Sequence, residues 1–542
     1  MKHASNLPTP RNEPIQDYLP GTAQRARLKA AIAGIERTVE EIPVLIGGQA
    51  ITTGNTVEVT APHRHRHVIA HLHQCTADDL HRALDGAVEA QRDWAAWSFE
   101  QRAGVFLKAA DLVAGSWRDR LNAATMVGQS KTVIQAEIDA ACELVDFLRF
   151  NVHFAERLYT EQPDSAAGTW NRVDYRPLEG FIYAVSPFNF TAIGGNLCTA
   201  PAILGNTILW KPAATASLAS WCVMQVLLEA GLPPGVIQFV PGESATITRA
   251  VLEDPRLAGI HFTGSTAVFQ SLWRDVAQRI DRYRAYPRLV GETGGKNFVL
   301  AHPSADVDAL ATALVRGAFE YQGQKCSAAS RSYLPKSLWP AVRERCLAQM
   351  ATIRMGDPAD FRNFMAAVID RRAFDRLSGW LERLRADGGA KVLAGGGSNA
   401  SEGWFIDPTL VQVDDPGHRL MKEELFGPVL AAYVYDDARW PDVLRIVDQT
   451  ADYGLTGAMF AQDRAAVVQA TAALRHTAGN FYVNDKPTGA VVGQQPFGGA
   501  RASGTNDKAG SILNLMRWVS PRTIKENFVP PKDPYYPYMS AE

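Results

Sequence analysis

A cysteine and a glutamate, each in a segment of small residues, are the strongest candidates for chemistry in this sequence. Cys326 lies within residues 323–327, and Glu292 lies 34 residues earlier in a glycine-rich turn, residues 291–296. A thiolate is a good nucleophile and a carboxylate can act as a general base, so the two could share one pocket. The alternative is a buried, unreactive thiol, the commoner fate of a single cysteine, and Cys326 alone would favour it.

The elements around Cys326 can be predicted from periodicity. Apolar residues recur every three or four positions between residues 307 and 321, which predicts a helix, and residues 331–334 resemble a strand. Cys326 is therefore expected in a loop where two elements meet. Small neighbours there would let a substrate approach the thiol.

Strand-like runs alternate with helical runs from residue 180 to 290, and a second such series extends from residue 297 to 485. This alternation predicts right-handed crossovers and parallel sheets covered by helices. Residues 260–263 are interpreted as a short helix within the first series. The segment Phe-Thr-Gly-Ser at residues 262–265 opens a helix, where free backbone N–H groups suit a phosphate.

Helices are also predicted before residue 180. Residues 76–79 and 98–101 have the pattern of capping boxes at helix N-termini, and an amphipathic helix is expected from residue 132 to about 157. Residues 161–179 contain Gly, Ser and Pro and then alternate, which indicates an exposed hairpin or arm.

The overall composition excludes several classes of protein. The formal net charge of −2 argues against a nucleic-acid surface, and no run reaches the ~18 apolar residues of a membrane span. Residues 1–25 are polar and proline-rich, without the apolar core of a signal peptide. Six cysteines without a repeated spacing indicate reduced thiols. A bacterial-like cytoplasmic protein is therefore expected.

Five histidines lie close together, and His63, His65 and His67 would share one face of a strand. A metal site is one interpretation of this cluster. A solvated edge strand is favoured over it, because no cysteine or carboxylate in the segment completes a usual ligand set. No metal is expected.

Six short motifs in order resemble the aldehyde dehydrogenase superfamily, over about residues 45–510. They are Ser-Pro-Phe-Asn (186–189), Trp-Lys-Pro (210–212), Phe-Thr-Gly-Ser (262–265), Glu-Thr-Gly-Gly (292–295), Gly-Gln-Lys-Cys (323–326) and Glu-Leu-Phe-Gly-Pro (424–428). Longer matches at residues 188–196, 319–327 and 493–506 resemble the branch that oxidises glutamate 5-semialdehyde to glutamate in proline degradation. The chain length fits the form that carries this activity alone.

The resemblance implies an α/β fold with three parts. A Rossmann-like parallel-sheet domain for the cofactor would cover residues 1–160 and 180–292, and a second α/β domain for catalysis would cover residues 293–485. A β-arm at residues 161–179 and the C-terminal residues 486–542 would serve oligomerisation. An unpaired strand edge is a docking surface, so a homodimer or a larger homo-oligomer is expected.

The resemblance also implies roles for particular residues. Cys326 would be the nucleophile, Asn189 would donate to the oxyanion, and Glu292 would activate water. The expected cofactor is NAD, with candidate contacts at Ser186, Phe188, Lys211, Gly264, Ser265, Thr266, Glu424 and Phe426. Many relatives that prefer NAD carry a glutamate where this chain has Ala214, so use of NADP stays open.

The substrate implied by the resemblance is a small aldehyde that carries a carboxylate. Ser327, Gly489 and Ala490 would anchor that carboxylate, Phe190 and Phe497 would line the aliphatic chain, and Glu143 would contact the amine. Close relatives have serine at the place of Ala490, which leaves another acidic semialdehyde, such as succinic semialdehyde, as an alternative. A catalytically silent NAD-binding protein is the other alternative, because fold alone does not confer activity.

Overall fold

A computed structural model describes residues 7–541 of the chain. The first six residues and residue 542, which belong to the predicted cofactor domain and tail, lie outside the described residues. Within residues 7–541, no helix combines the length and the apolar character needed to cross a membrane.

The described residues contain 23 strands. In chain order they are β1 Glu40–Ile42, β2 Val44–Ile46, β3 Gln49–Ile51, β4 Thr56–Ala61, β5 Arg64–His73, β6 Thr169–Pro177, β7 Phe181–Val185, β8 Thr207–Lys211, β9 Ile237–Phe239, β10 Leu257–Thr263, β11 Arg288–Glu292, β12 Asn297–Ala301, β13 Ala329–Pro335, β14 Ala390–Ala394, β15 Ser398–Asn399, β16 Phe405–Ile406, β17 Thr409–Val413, β18 Val429–Tyr435, β19 Tyr453–Gly454, β20 Thr456–Phe460, β21 Asn480–Val483, β22 Ala500–Arg501 and β23 Val519–Asn527.

Seventeen α-helices occur in the same part of the chain. They are α1 Ala23–Glu36, α2 Ala77–Ala96, α3 Phe99–Ala114, α4 Arg118–Gln129, α5 Val133–Ala136, α6 Glu143–Thr160, α7 Thr191–Ile203, α8 Ser217–Glu229, α9 Ser244–Glu253, α10 Thr266–Ala277, α11 Val307–Phe319, α12 Trp339–Ala351, α13 Arg371–Arg385, α14 Arg419–Lys422, α15 Trp440–Thr450, α16 Arg464–Ala473 and α17 Ile512–Met516.

Two seven-stranded sheets form the framework, as the alternation of strands and helices predicts. The first has the order β11-β10-β7-β8-β9-β2-β3 and is parallel from β11 to β9, with β2 and β3 added antiparallel. The second has the order β14-β17-β18-β13-β12-β20-β21 and is parallel except at its β14 edge. Loops at the carboxyl ends of parallel strands are the usual place for a site in such folds.

The interpretation of residues 260–263 as a helix is wrong. They form the end of β10, a central strand in which every residue is buried, between β7 and β11. A strand that is covered on both faces loses its two-residue alternation, so a short apolar run of this kind does not reveal its type by periodicity.

The two predicted capping boxes are confirmed. Thr76 and Asp79 cap α2, and Ser98 and Gln101 cap α3, each pair with reciprocal side-chain to backbone hydrogen bonds. The helix predicted from residue 132 is interrupted, because residues 137–142 between α5 and α6 form a π-helical turn. π-Helical turns are rare in proteins overall, and those that occur are often found at functional sites.

The predicted arm forms a two-stranded antiparallel ribbon. Strand β6 pairs along its whole length with β23, from Thr169 opposite Asn527 to Pro177 opposite Val519. The partner strand therefore comes from the C-terminal region, so the arm is not a local hairpin. Most side chains on β6 are partly exposed, Trp170 is exposed, and most side chains on β23 are exposed.

Candidate active site

The loop that carries Cys326 has an unusual backbone. It follows α11 and precedes β13, as predicted, and Tyr321 and Gln322 have φ values of 51° and 55°. The left-handed region costs a residue with a side chain about 1–2 kcal/mol. The Gln322 amide stabilises the loop by donating to the carbonyls of Ser130 at 3.1 Å and Ala367 at 2.7 Å.

Cys326 is partly exposed as a residue, and its desolvated thiol lies among carboxylates. Burial raises its pKa above the usual range for a thiol, and the charges of Glu292, Glu424 and Glu143 act in the same direction. The thiol is therefore protonated at neutral pH in this structure. A positive charge close by is needed to convert it to the reactive thiolate.

Asn189 lies beside the same loop, between β7 and α7, and is buried. Its Nδ2 donates to the carbonyl of Gln324 at 3.0 Å, two residues before Cys326. A side-chain amide has two N–H groups, so the second remains for another acceptor. The structure thus places the Asn189 amide against the loop that carries Cys326, and its role toward an oxyanion stays a prediction.

Glu292 is the last residue of β11. The backbone N–H of Gly499 donates to its Oε2 at 3.3 Å. Burial raises the pKa of Glu292 well above the usual range, while the Gly499 N–H and the charge of Lys508 oppose that rise. A carboxyl group with a raised pKa can exchange protons near neutral pH, which suits a general base.

Gly294 and Gly295 form a turn that contacts both the Cys326 loop and the side chain of Glu424. A Cβ on Gly295 would lie 2.4 Å from the carbonyl oxygen of Cys326, and one on Gly294 would lie 2.2 Å from Oε2 of Glu424. The Gly295 N–H also donates to Oε1 of Glu424 at 2.7 Å, and Asn297 Nδ2 donates to the Cys326 carbonyl at 2.7 Å. At Gly295 the close atom belongs to the backbone, so only glycine permits this approach, whereas the Glu424 side chain could shift away from a Cβ at position 294.

Two of the predicted cofactor residues form an aromatic pair next to this turn. The rings of Phe188 and Phe426 meet edge to face with centroids 5.8 Å apart. Phe426 has φ +52°, and Glu424, two residues before it, is a partly exposed residue whose carboxylate is desolvated, which raises its pKa to about 7. The pair offers a flat apolar surface beside a carboxylate, which suits a ring and a ribose.

The other predicted cofactor residues lie at the carboxyl edge of the first sheet. Ser186 and Lys211 follow or end the neighbouring strands β7 and β8, and Ser186 Oγ accepts from the Trp210 indole at 3.0 Å. Gly264, Ser265 and Thr266 connect β10 to α10, where Ser265 caps the helix.

Lys211 fits a bound hydroxyl-bearing group. Its side chain is buried, yet the one hydrogen bond of its Nζ among the described residues is to the Pro212 carbonyl at 3.4 Å. Burial lowers the pKa of Lys211, since an ammonium without close acceptors is poorly solvated there. A ribose hydroxyl would supply the missing acceptor.

The predicted substrate residues lie on two loops. Ser327 Oγ and Thr488 Oγ1 are 2.7 Å apart, which places the loop of residues 488–490 next to Cys326. Gly489 is exposed and has φ +97°, and Ala490 beside it is partly exposed. Phe497 is partly exposed, in the same stretch as the Glu292 contact at Gly499.

A buried lysine, which sequence reasoning missed, organises the other side of the pocket. Lys131 Nζ lies 4.2 Å from the ring centroid of Phe190 and 4.4 Å from that of Tyr321, and it donates to Asp139 at 2.7 Å. Burial raises the pKa of Glu143 well above its usual range, and Asp139 adds to this rise. The sequence contained one signal for this buried charged cluster, namely the acidic residues at positions 137, 139 and 143 in an otherwise apolar segment.

The histidine cluster is held by protein contacts. His65 stacks on Trp404 with centroids 4.3 Å apart, and His71 and His73 both contact Glu41. His63 bonds Ser130 Oγ at 2.9 Å.

One group of metal-type side chains occurs within residues 7–541, formed by Glu36, His63 and Asp357. The guanidinium of Arg64 contacts both carboxylates of this group and already supplies a positive charge there.

Residues 50–524 match the aldehyde dehydrogenase family, and the chain belongs to this family. Individual relatives that are similar over nearly the whole chain carry one enzyme name. The chain is 52% identical over 541 residues to the mitochondrial Delta-1-pyrroline-5-carboxylate dehydrogenase of Mus musculus, covering 99% of this chain and 96% of the relative. The Dictyostelium discoideum protein of the same name is 49% identical over 538 residues, with the same coverage.

Solved structures that resemble this chain are of enzymes with the same type of name. The Delta-pyrroline-5-carboxylate dehydrogenase of Mycobacterium tuberculosis bound with NAD has a TM-score of 0.96 and 52% identity, with all of both chains covered. The Thermus enzyme with bound NAD has a TM-score of 0.90 and 30% identity, covering 96% of this chain and 100% of the other. The predicted aldehyde dehydrogenase fold is confirmed.

The prediction of a bacterial-like cytoplasmic protein is wrong. The relatives from mouse, cattle, human and Dictyostelium, at 49–52% identity, are all named mitochondrial. The prediction relied on the absence of a recognisable leader in a polar N-terminal segment. Targeting peptides are defined by loose composition, so a polar, proline-rich segment that also contains Glu13 and Asp17 is poor evidence against one.

Proposed function

We propose that this chain oxidises L-glutamate 5-semialdehyde, which forms from Δ1-pyrroline-5-carboxylate, to L-glutamate with NAD as the hydride acceptor. The observation that supports the proposal is that the Asn189 amide contacts the loop of Cys326 and that the charge of Glu292 acts on the Cys326 thiol. The names of the relatives support the same substrate. The presence of all three side chains also argues against a silent binding protein.

The reaction divides into two steps at Cys326. The Cys326 thiol first gives up its proton to water, and the thiolate then attacks the aldehyde carbon while the carbonyl electrons move to oxygen. The oxyanion accepts hydrogen bonds from the free N–H of Asn189 and from the backbone N–H of Cys326. One such donor is worth about 3 kcal/mol. Loss of hydride from this thiohemiacetal leaves a thioester on Cys326. Glu292 then removes a proton from water, the hydroxide attacks the thioester carbon, and the carbon–sulfur bond breaks to release glutamate.

The chain's own residues fit the cofactor at both ends. Lys211 would donate to one ribose, Glu424 would accept from the other, and residues 264–266 would lie along the pyrophosphate at the start of α10. Phe188 and Phe426 would support the nicotinamide side. Bound NAD supplies the hydride acceptor and a positive ring charge that favours the thiolate of Cys326.

The substrate's charged groups account for the remaining candidates. Ser327 and the backbone N–H groups of Gly489 and Ala490 would anchor the α-carboxylate, because adjacent N–H groups can form an anion nest. Phe190 and Phe497 would line the carbon chain. Glu143 would meet the ammonium group, since a nearby cation would favour its ionised form.

A substrate panel tests the proposal. Formation of NADH would be measured with glutamate semialdehyde, propanal and succinic semialdehyde. Hydrogen bonds to a charged group are worth about 1.5–3 kcal/mol each, so glutamate semialdehyde should exceed propanal about a hundredfold in kcat/KM. Equal use of propanal would contradict the anchor. Faster use of succinic semialdehyde would keep the family and change the substrate, with Ala490 as the first residue to examine.

The assembly belongs to the same proposal. The exposed ribbon of β6 and β23 borders a cleft of about 1950 Å³, which is also lined by residues of α2, α3 and the end of α6. Such a cleft beside a projecting ribbon suits the corresponding ribbon of a second copy, so the minimum unit would be a two-fold homodimer. The division into a cofactor domain, a catalytic domain and an arm is proposed with the boundaries predicted from the sequence.

A further inference from the structure

A carboxylate lies near Lys211, in the loop that follows the neighbouring strand β9. Strands β8 and β9 are parallel neighbours with Trp210 opposite Phe239, and the N–H of Val240 donates to the Trp210 carbonyl at 2.9 Å. The loop after β9 therefore emerges next to Lys211. Glu243 in that loop precedes α9, and its charge acts on the Lys211 ammonium.

Glu243 cannot easily turn away from this position. Its Oε1 accepts from the N–H of Ala245 at 2.9 Å, and its Oε2 accepts from the N–H of Thr246 at 2.6 Å. Both oxygens are thus held at the N-terminus of a ten-residue helix. A hydrogen bond with the Thr246 side chain and these two backbone bonds keep the pKa of Glu243 low, at about 2, so the group is ionised at neutral pH.

Position 214, where many relatives that prefer NAD carry a glutamate, is occupied by an uncharged residue in this chain. Ala214, three residues after Lys211, begins a 3-10 turn and has no side chain that could contact a ribose. A cofactor ribose held by Lys211 would carry a 2′-hydroxyl in NAD and a 2′-phosphate in NADP. A phosphate adds almost two negative charges at neutral pH, so a fixed carboxylate nearby disfavours it.

We propose that Glu243 is a specificity-determining residue that selects a cofactor with a free 2′-hydroxyl, in place of a carboxylate at position 214. This inference rests on the proposed function, because it takes Lys211 as a ribose contact. It predicts that the chain prefers NAD although residue 214 is alanine. It also assigns the preference to a connection after β9, away from the reacting atoms.

The test uses Glu243→Gln in the whole protein. Glutamine keeps one oxygen to cap α9 and removes the charge. Calorimetry would give Kd values for adenosine 5′-monophosphate and for adenosine 2′,5′-bisphosphate, which differ by the 2′-phosphate. Because Glu243 is solvent-exposed and screened, we expect bisphosphate binding to tighten by about threefold to tenfold and monophosphate binding to change less than twofold. The NADP to NAD ratio of kcat/KM should rise by the same factor.

Asp463→Asn is the matched control. Asp463 also caps a helix, α16, by accepting from the N–H of Ala465, and it lies outside the candidate cofactor residues, so the ratio of the two Kd values should not change. High salt should reduce the preference of the unmodified protein for the monophosphate over the bisphosphate, and it should have little effect on this preference in Glu243→Gln. Salt screens a charge effect, whereas it does not reverse a loss of structure.

Two results separate this inference from the proposed function. If the monophosphate binds and the ratio of Kd values is the same in Glu243→Gln, the inference is wrong while the function stands. If neither adenosine ligand binds the unmodified protein, the ribose site at Lys211 and the cofactor proposal both fail.

Discussion

Gly489→Ala is expected to separate recognition of the substrate carboxylate from the chemistry at Cys326. Gly489 has φ +97°, and a Cβ there would meet only the flexible end of Lys486, at 2.9 Å from Nζ. Space is therefore available and the cost is backbone strain, about 1–2 kcal/mol for a residue with a side chain. The peptide should rotate to relieve the strain and turn its N–H away from the carboxylate.

The size of the effect follows from the lost hydrogen bond. One bond to a charged group is worth about 1.5–3 kcal/mol, which corresponds to a loss of about tenfold to 150-fold in kcat/KM. This loss should be seen with glutamate semialdehyde and be absent with propanal, which has no carboxylate. Steady-state measurement of NADH formation with both aldehydes gives the comparison.

Gly54→Ala is the control for strain alone. Gly54 also has a positive φ, +75°, with open space around its Cβ position, and it lies in the turn between β3 and β4. It should lose similar stability and keep its preference between the two aldehydes. An equal loss for both aldehydes in Gly489→Ala, or no loss for either, would refute the anchor.

Three further predictions concern the base and the assembly. Glu292→Gln should slow thioester hydrolysis more than hydride transfer, so rapid mixing should give about one NADH per site and then a slow phase; full steady-state activity would refute Glu292 as the base. Burial holds the pKa of Glu292 above its usual range, so its basic form increases as pH rises. Hydrolysis in the unmodified protein should therefore accelerate with pH, and this dependence should be lost in Glu292→Gln. Light scattering on the 59.2 kDa chain should give at least two copies, and a monomer at micromolar concentration would contradict the role of the ribbon.

The parts of the fold that could be predicted are those with local signals. The capping boxes at Thr76 and Ser98 and the alternation of strands and helices depend on neighbouring residues, and the structure confirms them. The loop position of Cys326 was predictable because a periodic helix precedes it. Residues 260–263 gave a wrong result because burial on both faces removes the alternation that identifies a strand.

The parts that could not be predicted depend on contacts between distant segments. Strand β6 pairs with β23, more than 300 residues away, and its own sequence contains no sign of that partner. Lys131 looks like an ordinary lysine in the sequence, yet it is buried between two aromatic rings and Asp139. The candidate cofactor residues were assigned through the family motifs, since local sequence does not indicate that Lys211 is buried.

The measurement that tests the central claim most directly is NADH formation by Cys326→Ala with glutamate semialdehyde. Binding of NAD, followed by fluorescence quenching, serves as the control for folding. The account predicts that Cys326→Ala binds NAD with an affinity close to that of the unmodified protein and forms no NADH, because the variant lacks the thiol that forms the thiohemiacetal. Sustained NADH formation by this variant would contradict the assignment of Cys326 as the nucleophile.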